Sequence, residues 1–231
     1  MPDLLLSYMN KRLLEQQKFE KAEPGPVITI SRECGCGARN IAKELSERLN
    51  QKSGPSATKL DWHWIDKEIL QQSAEKLNLN PTFVNRVLSD KERGTMDEIL
   101  SAMSNRYFKT DQKIRKTTFD VIRSFAIEGN VIIIGRGGVV ASRDIHRSLH
   151  IRLEAPEDWR VESIMRLRPI TRTAAQKYIH EQDELRNRFI EKVLCGKSCN
   201  LLYDVIINRS KFSDTDVVKT ILLLAEAKGI C

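Results

Sequence analysis

Six consecutive residues, Gly35, Cys36, Gly37, Ala38, Arg39 and Asn40, combine small size, backbone freedom and positive charge in the way that phosphate binding requires. Glycine reaches positive φ and lets an anion come close to the backbone. N–H groups of a turn that opens a helix point at such an anion, and the helix dipole favours its charge. Arg39, on the first helical turn, adds a planar donor suited to bidentate contact with phosphate. The literal loop G-x-x-x-x-G-K-[ST] is absent. With Gly37 as its second glycine, Arg32 stands at the first glycine, Ala38 at the lysine and Arg39 at the hydroxyl. By itself the turn also reads as a tight strand-to-helix connection. Arg136, between glycines just after an apolar run, is a second candidate for anion binding. Asp66 ends another short run, where it can also cap a helix.

The elements that must position these groups follow from periodicity. Val27 to Ile30 is β-branched and apolar and predicts a buried strand; Ile41, Ala42, Leu45 and Leu49 then recur at helical spacing. Ahead of them, residues 3–22 read as an amphipathic helix that packs on the domain or mediates self-association, and Glu23 to Pro26 as rigid punctuation. Gln51 to Thr58 reads as a loop, Trp62 to Ile65 as a second strand, and Lys67 to Leu77 as a helix opened by Asp66. Further helices are expected from Asn80 to Ile127. Val131 to Ile134, Leu149 to Leu153 and Asp204 to Asn208 complete five strands, with helices expected at 157–167, 171–194 and 214–228. Strands alternating with helices predict an open parallel sheet covered on both faces, with ligands beyond the strands' carboxyl ends.

Composition narrows the partners without choosing one. The chain has 231 residues and a formal charge of +7, which suits nucleotide phosphate, nucleic acid or an acidic surface. No apolar run reaches membrane-span length, and the first residues lack the features of a signal peptide, so a cytoplasmic protein without membrane association is expected. The basic residues alternate with acids and lack interleaved aromatics, which argues against nucleic acid. Cys34, Cys36, Cys195 and Cys199 do not have the spacing of a standard zinc finger, and the four histidines form no H-x-x-x-H group. Trp62 and Trp64 read as packing residues before they read as a base platform. Glu33, at the mouth of the turn, is expected to orient Arg39 or a metal-bound water, or else to pair with Arg32.

The segments SRE-x-G-x-G-A-R, WIDKE, GRGG and LEAPEDWRVESIMR together resemble the cytidylate kinase-like family of P-loop proteins, over roughly residues 26–228. The resemblance implies a three-layer α/β nucleoside-monophosphate-kinase fold with a five-stranded parallel sheet and an arginine-rich helical lid. It implies an N-terminal extension at 1–24 and a kinase-like domain at 25–231, with an acceptor-binding helical region at about 66–128 and the lid at about 170–200. The implied activity is transfer of the ATP γ-phosphoryl group to a nucleoside monophosphate, most simply CMP or dCMP, with Mg²⁺. Gly35 and Gly37 match the phosphate loop, and arginine at Arg39 is a family trait. Asp66, the helices around Arg106, and Arg136 would surround the acceptor. In cytidylate kinases, however, an aspartate follows the residue matching Arg136, and here Gly137 does. DELRNR (Asp183 to Arg188) resembles the lid, which makes Asp183 a substrate contact and Arg186 and Arg188 catalytic. Two residues apart on a helix, those arginines cannot both face one phosphate; Arg186 is the better lid residue, and Arg188 then pairs with Asp183 or Glu184.

Arg39 and Gly137 stand where P-loop enzymes carry the hydroxyl and acidic groups that hold Mg²⁺. The metal would then arrive with nucleotide phosphates and water. The same replacements leave open a nucleotide-binding or regulatory module that kept the fold and lost efficient chemistry. A basic nucleic-acid-binding protein ranks third, and a homo-oligomer joined through the N-terminal helix is compatible with each reading.

Overall fold

The computed structural model describes residues 24–53, 61–66, 119, 122–135, 137–194 and 201–231. The chain divides into two compact units. One comprises Pro24–Ile65 and Arg123–Cys231; the other comprises Met1–Glu23 and Asp66–Ile122 and holds only Asp66, Phe119 and Ile122 of the described residues. The expected N-terminal helix and the helices expected within residues 67–118 therefore lie outside the described residues, as does the expected 195–200 loop.

In the first unit the strands are β1 (Val27–Arg32), β2 (His63–Ile65), β3 (Val131–Ile134), β4 (Ser148–Glu154) and β5 (Val205–Asn208). They form one five-stranded sheet in the order β2-β3-β1-β4-β5, with every pairing parallel. β1 is central: Ile28 pairs with Ile132 on one side and Leu149 on the other, and Ile30 with Ile134 and Ile151. Its β-branched residues suit a strand buried on both faces. The helices are α1 (Ala38–Ser53), α2 (residues 122–128), α3 (Gly138–Ala141), α4 (Glu157–Leu167), α5 (Arg172–Leu194) and α6 (Asp214–Ala227).

One sheet face is apolar. Ile28, Ile30, Ile132, Ile134, Leu149, Ile151 and Leu153 pack with Ile41, Leu45 and Leu49 of α1 and with Val217, Val218 and Ile221 of α6. Each fully buried side chain of this size contributes about 1.5–3 kcal/mol, so this layer holds the fold. Trp62 lies inside the same core and Trp64 packs against it, as packing residues should. The other face carries polar groups: the Thr29 hydroxyl is 2.9 Å from Nδ1 of His150, and the Ser148 hydroxyl is 3.1 Å from its Nε2. α4 and α5 share a smaller cluster of Val161, Ile164, Ala175 and Ile179, which also buries Cys34. The result is the three-layer α/β fold expected from the strand–helix alternation.

Element boundaries differ where tertiary contacts outweigh local signals. Gln51, Lys52 and Ser53 continue α1 instead of starting a loop, since Lys52 finds an ion-pair partner in Glu226 of α6. β1 runs on to Arg32 because β4, itself extended to Glu154, pairs with it to the end. The glycine turn after β3 is followed by the short α3, opened by Gly137 at φ 68°. α6 begins with a capping box in which Ser213 and Asp216 satisfy each other's backbone N–H groups.

Candidate phosphate-binding site

The glycine turn lies at the carboxyl end of the central strand and opens α1, the arrangement in which anions meet backbone amides. Gly35 and Gly37 have φ of 93° and 69°, conformations that L side chains resist. The turn is seated from behind through its carbonyls. Ser163 of α4 donates to the Gly35 carbonyl at 2.8 Å, and Nε of Arg209 donates to the Cys36 carbonyl at 3.1 Å. Nη1 of Arg160 reaches the Cys34 carbonyl at 3.5 Å. A Cβ on Gly35 would sit 2.9 Å from the Arg160 carbonyl oxygen, so only glycine fits against α4 here.

Among the described residues, the amides of Gly35, Gly37 and Ala38 donate to no protein acceptor. The first turn of α1 closes on the Gly37 carbonyl, which accepts from Asn40 N at 3.2 Å and Ile41 N at 3.5 Å. Gly37, Arg39 and Asn40 are exposed, whereas Cys36 and Ala38 are buried. The loop thus presents glycine amides and an arginine outward and keeps its apolar members inside.

Two buried arginines hold this geometry. Arg209, immediately after β5, also donates to the Phe212 carbonyl at 2.6 Å, pairs with Asp214 and stacks over Trp159. Arg160 donates to the Ala155 carbonyl at 3.0 Å and to Oδ2 of Asp183 at 2.5 Å, and its Nε lies 3.4 Å from Oε2 of Glu33. Glu33 accepts from the Ala155 N–H at 3.0 Å. Its protein partners are therefore Arg160 and Ala155, in place of the expected Arg39 or Arg32, because β4 and α4 bring a cation and an amide to it.

The predicted lid residues separate. Asp183 of α5 accepts from the Cys34 N–H at 2.7 Å and from Nη1 of Arg186 at 2.8 Å. Arg186 lies against the Cys34 thiol, next to the loop, while Arg188 pairs with Glu184 at 2.5 Å on the helix surface. The two arginines thus pair with different carboxylates, Arg186 with Asp183 and Arg188 with Glu184. Asp66 follows β2 directly and is buried, 4% exposed; Arg106 and Arg136 lie outside the described residues. Both loop thiols are held protonated. Burial, then the nearby Glu33 carboxylate, pushes Cys36 up to about 12, and burial raises Cys34 against the lowering effect of Arg186. Among the described residues, no cluster of His, Cys, Asp and Glu has the form of a metal site.

Arg160, Ser163 and Arg209 were not singled out by the sequence. Arg160 shares a helical face with Val161 and Ile164, an apolar stripe in which a charge implies a buried partner. Arg209 follows a strand's carboxyl end, the same positional signal that favoured Arg136.

A parallel sheet with a glycine loop between its central strand and a helix defines the class as a P-loop-type α/β protein. The model of the cytidylate kinase-like family matches residues 56–211, well over half of the chain, and the chain belongs to that family. Among solved structures, an uncharacterized protein from Eubacterium ventriosum superposes with TM-score 0.62 at 19% identity, over 87% of this chain and 98% of that one. Shikimate kinases from Bacteroides thetaiotaomicron (TM-score 0.46, 14% identity, 87% and 98% covered) and Acinetobacter baumannii (0.47, 12%, 90% and 97%) are more distant. No curated protein matches the chain. Family membership makes this a kinase-type phosphotransferase; among the described residues no helix is long and apolar enough to cross a membrane.

Proposed function

We propose that the chain transfers the γ-phosphoryl group of ATP to a nucleoside monophosphate, CMP or dCMP being the first candidates. The observation that carries this reading is the loop whose carbonyls are tied back while the Gly35, Gly37 and Ala38 amides meet no acceptor among the described residues. Phosphoryl transfer depends on positioning and on positive charge around the equatorial oxygens, with little covalent work for the protein. The amides and the α1 N-terminus bind the ATP phosphates, Arg39 adds charge at their edge, and Arg186 is assigned to the lid, with Arg188 paired to Glu184 on the same helix. Asp66, Arg106 and Arg136 are assigned to the acceptor, which needs no strong general base because its phosphate is already ionised. The loop's own carboxylate, Glu33, is committed to Arg160 and Ala155. The described loop therefore does not fit a protein-held Mg²⁺, and the metal in this reading belongs to the nucleotide.

The test is a coupled phosphotransfer assay with ATP and Mg²⁺ against CMP, dCMP, UMP, AMP and GMP. Turnover is expected on a pyrimidine monophosphate. Arg39→Ala is expected to reduce it about 10- to 150-fold, the loss of one charge-assisted contact of about 1.5–3 kcal/mol. Unchanged turnover in that variant removes Arg39 from the mechanism. A second reading, a nucleotide-binding module with little turnover, is favoured by one feature: the lysine position holds the buried, uncharged Ala38. ATP binding with no product from any acceptor is its signature.

A further inference from the structure

The phosphate loop and α5 meet at one carboxylate. Asp183 uses Oδ1 for the Cys34 N–H and for Nη1 of Arg186, and Oδ2 for Nη1 of Arg160. Arg160 in turn reaches the Cys34 carbonyl, so both backbone groups of Cys34 are gripped, one by Asp183 and the other by Arg160. Glu33, the preceding residue, closes the circuit through its own ion pair with Arg160. Four charged side chains from the loop, α4 and α5 thus surround one residue at the entrance of the phosphate turn.

The members differ in exposure, and that difference separates their roles. The Arg160 side chain is 10% exposed and Asp183 20%, whereas Arg186 is 31% exposed. Arg160 is fixed by Ala155, Glu33 and Cys34 as well as by Asp183. Arg186 is the outermost, and Asp183 keeps two charge-assisted partners if it departs. A resemblance-based role as a substrate contact would need Asp183 oxygens that are already occupied by the loop, α4 and α5.

We propose that Asp183 and Arg160 are positioning residues that fasten α5 to the phosphate loop and hold Arg186 beside it, ready to be taken over by a bound phosphate. This rests on the reading of the loop as a nucleotide site. Asp183 then acts on nucleotide binding through the Cys34 backbone, and on transfer through Arg186, and does not touch the acceptor. Arg160 acts only through the loop. Loss of either lets the Cys34 peptide turn and scatters the amides that follow it, which weakens phosphate binding without altering acceptor recognition.

The test measures the dissociation constant of a fluorescent ATP analogue and, separately, KM for the monophosphate, in wild type, Asp183→Asn, Arg160→Lys and the control Glu181→Gln, an exposed carboxylate on the same helix that turns away from the loop. Asp183→Asn keeps the shape of the side chain and Arg160→Lys keeps the charge; thermal melts fix the folded fraction at the assay temperature. The expected result is at least tenfold weaker nucleotide binding in both variants, with acceptor KM within twofold of wild type and Glu181→Gln unchanged. Native nucleotide affinity in the folded fraction of either variant reduces the network to a structural one and overturns the proposal. So does an Asp183→Asn variant whose acceptor KM moves while nucleotide affinity does not. A wild-type chain that binds no nucleotide refutes the functional reading and this inference with it, whereas a binding wild type beside equally binding variants refutes the inference alone.

Discussion

Substituting the two loop glycines by alanine separates what the loop must fit from what it must present. Both have positive φ, 93° at Gly35 and 69° at Gly37, and forcing an L residue there costs about 1–2 kcal/mol. The surroundings differ. A Cβ at Gly35 meets the Arg160 carbonyl oxygen at 2.9 Å and its Cα at 3.2 Å, backbone that cannot swing aside. At Gly37 the nearest atom is Nη2 of Arg209, 4.0 Å away. Overpacking of this kind adds about 1–3 kcal/mol. Gly35→Ala is therefore expected to cost about 2–5 kcal/mol and Gly37→Ala only the backbone share, about 1–2 kcal/mol. At roughly 2–4 °C per kcal/mol for a domain of this size, the melting points should differ by about 2–12 °C. Gly229→Ala, at φ 64° with open space around it, serves as the reference for backbone strain alone. Nucleotide binding should rank the loop variants the other way per unit of stability lost. The Gly37 methyl stands on the exposed side of the loop, so binding of a fluorescent ATP analogue should fall at least tenfold in a protein that is nearly native in stability. Equal losses of stability in Gly35→Ala and Gly37→Ala would mean that α4 yields and does not seat the loop. Native nucleotide affinity in Gly37→Ala would mean that phosphate does not approach there.

Arg209→Met removes a side chain only 5% exposed and leaves the Cys36 and Phe212 carbonyls without their donor; a loss of about 2–4 kcal/mol is expected in denaturant titrations, and a change under about 1 kcal/mol would contradict the assigned grip. Burial lowers the pKa of both His63 and His150 from the ordinary 6.5. The folded state then binds fewer protons than the unfolded one, so stability is complete above that value and declines as pH falls below it. The denaturant midpoint should drop between pH 7.5 and 5, and His63→Phe, which removes a ring whose buried Nε2 has no hydrogen-bond partner among the described residues, should shallow the slope; a flat profile in wild type would contradict the burial of both rings. Of Cys34, Cys36 and Cys231, only the exposed Cys231 should be alkylated rapidly at pH 7.5, since the other two are buried with raised pKa; peptide mapping that finds Cys36 labelled first would show that the loop opens.

The fold was legible because its signals are local and redundant. Val131 to Ile134 is a continuous apolar run bounded by glycines, and the structure makes it a buried strand with those bounds. The α1 stripe of Ile41, Ala42, Leu45 and Leu49 is fully buried. Boundaries slipped where pairing or packing extends an element past its own pattern, as at Gln51 to Ser53 and at Ser148. The site was legible only where backbone freedom is written into residue type. Gly35 and Gly37 declare themselves, whereas Arg160 and Arg209 look like any surface arginine until the chain is folded, because their partners are main-chain carbonyls of residues 34 and 36. Glu33 failed for the same reason. Its partner Arg160 is remote in sequence, and no spacing rule reaches that far.

The charges around the loop argue for where phosphate binding has to draw its strength. Arg160, Arg186 and Arg209 are matched by Glu33, Asp183 and Asp214 in direct ion pairs. Such pairs position the loop but leave little net field for a polyanion, since the buried Arg160 and Arg209 are already spent on carboxylates and the half-buried Arg186 is paired as well. Without the usual lysine, the attraction would come from the loop amides and from the N-terminus of α1. It gains further if Arg186 exchanges Asp183 for phosphate, because Asp183 remains satisfied by Arg160 and the Cys34 N–H. On the proposed function, such a loop would bind weakly until Arg186 turned to the phosphate, and nucleotide binding would be coupled to the position of that arginine. Removing Arg186 should therefore cost nucleotide affinity as well as turnover, whereas removing Arg188, paired with Glu184 on the surface, should cost much less of either.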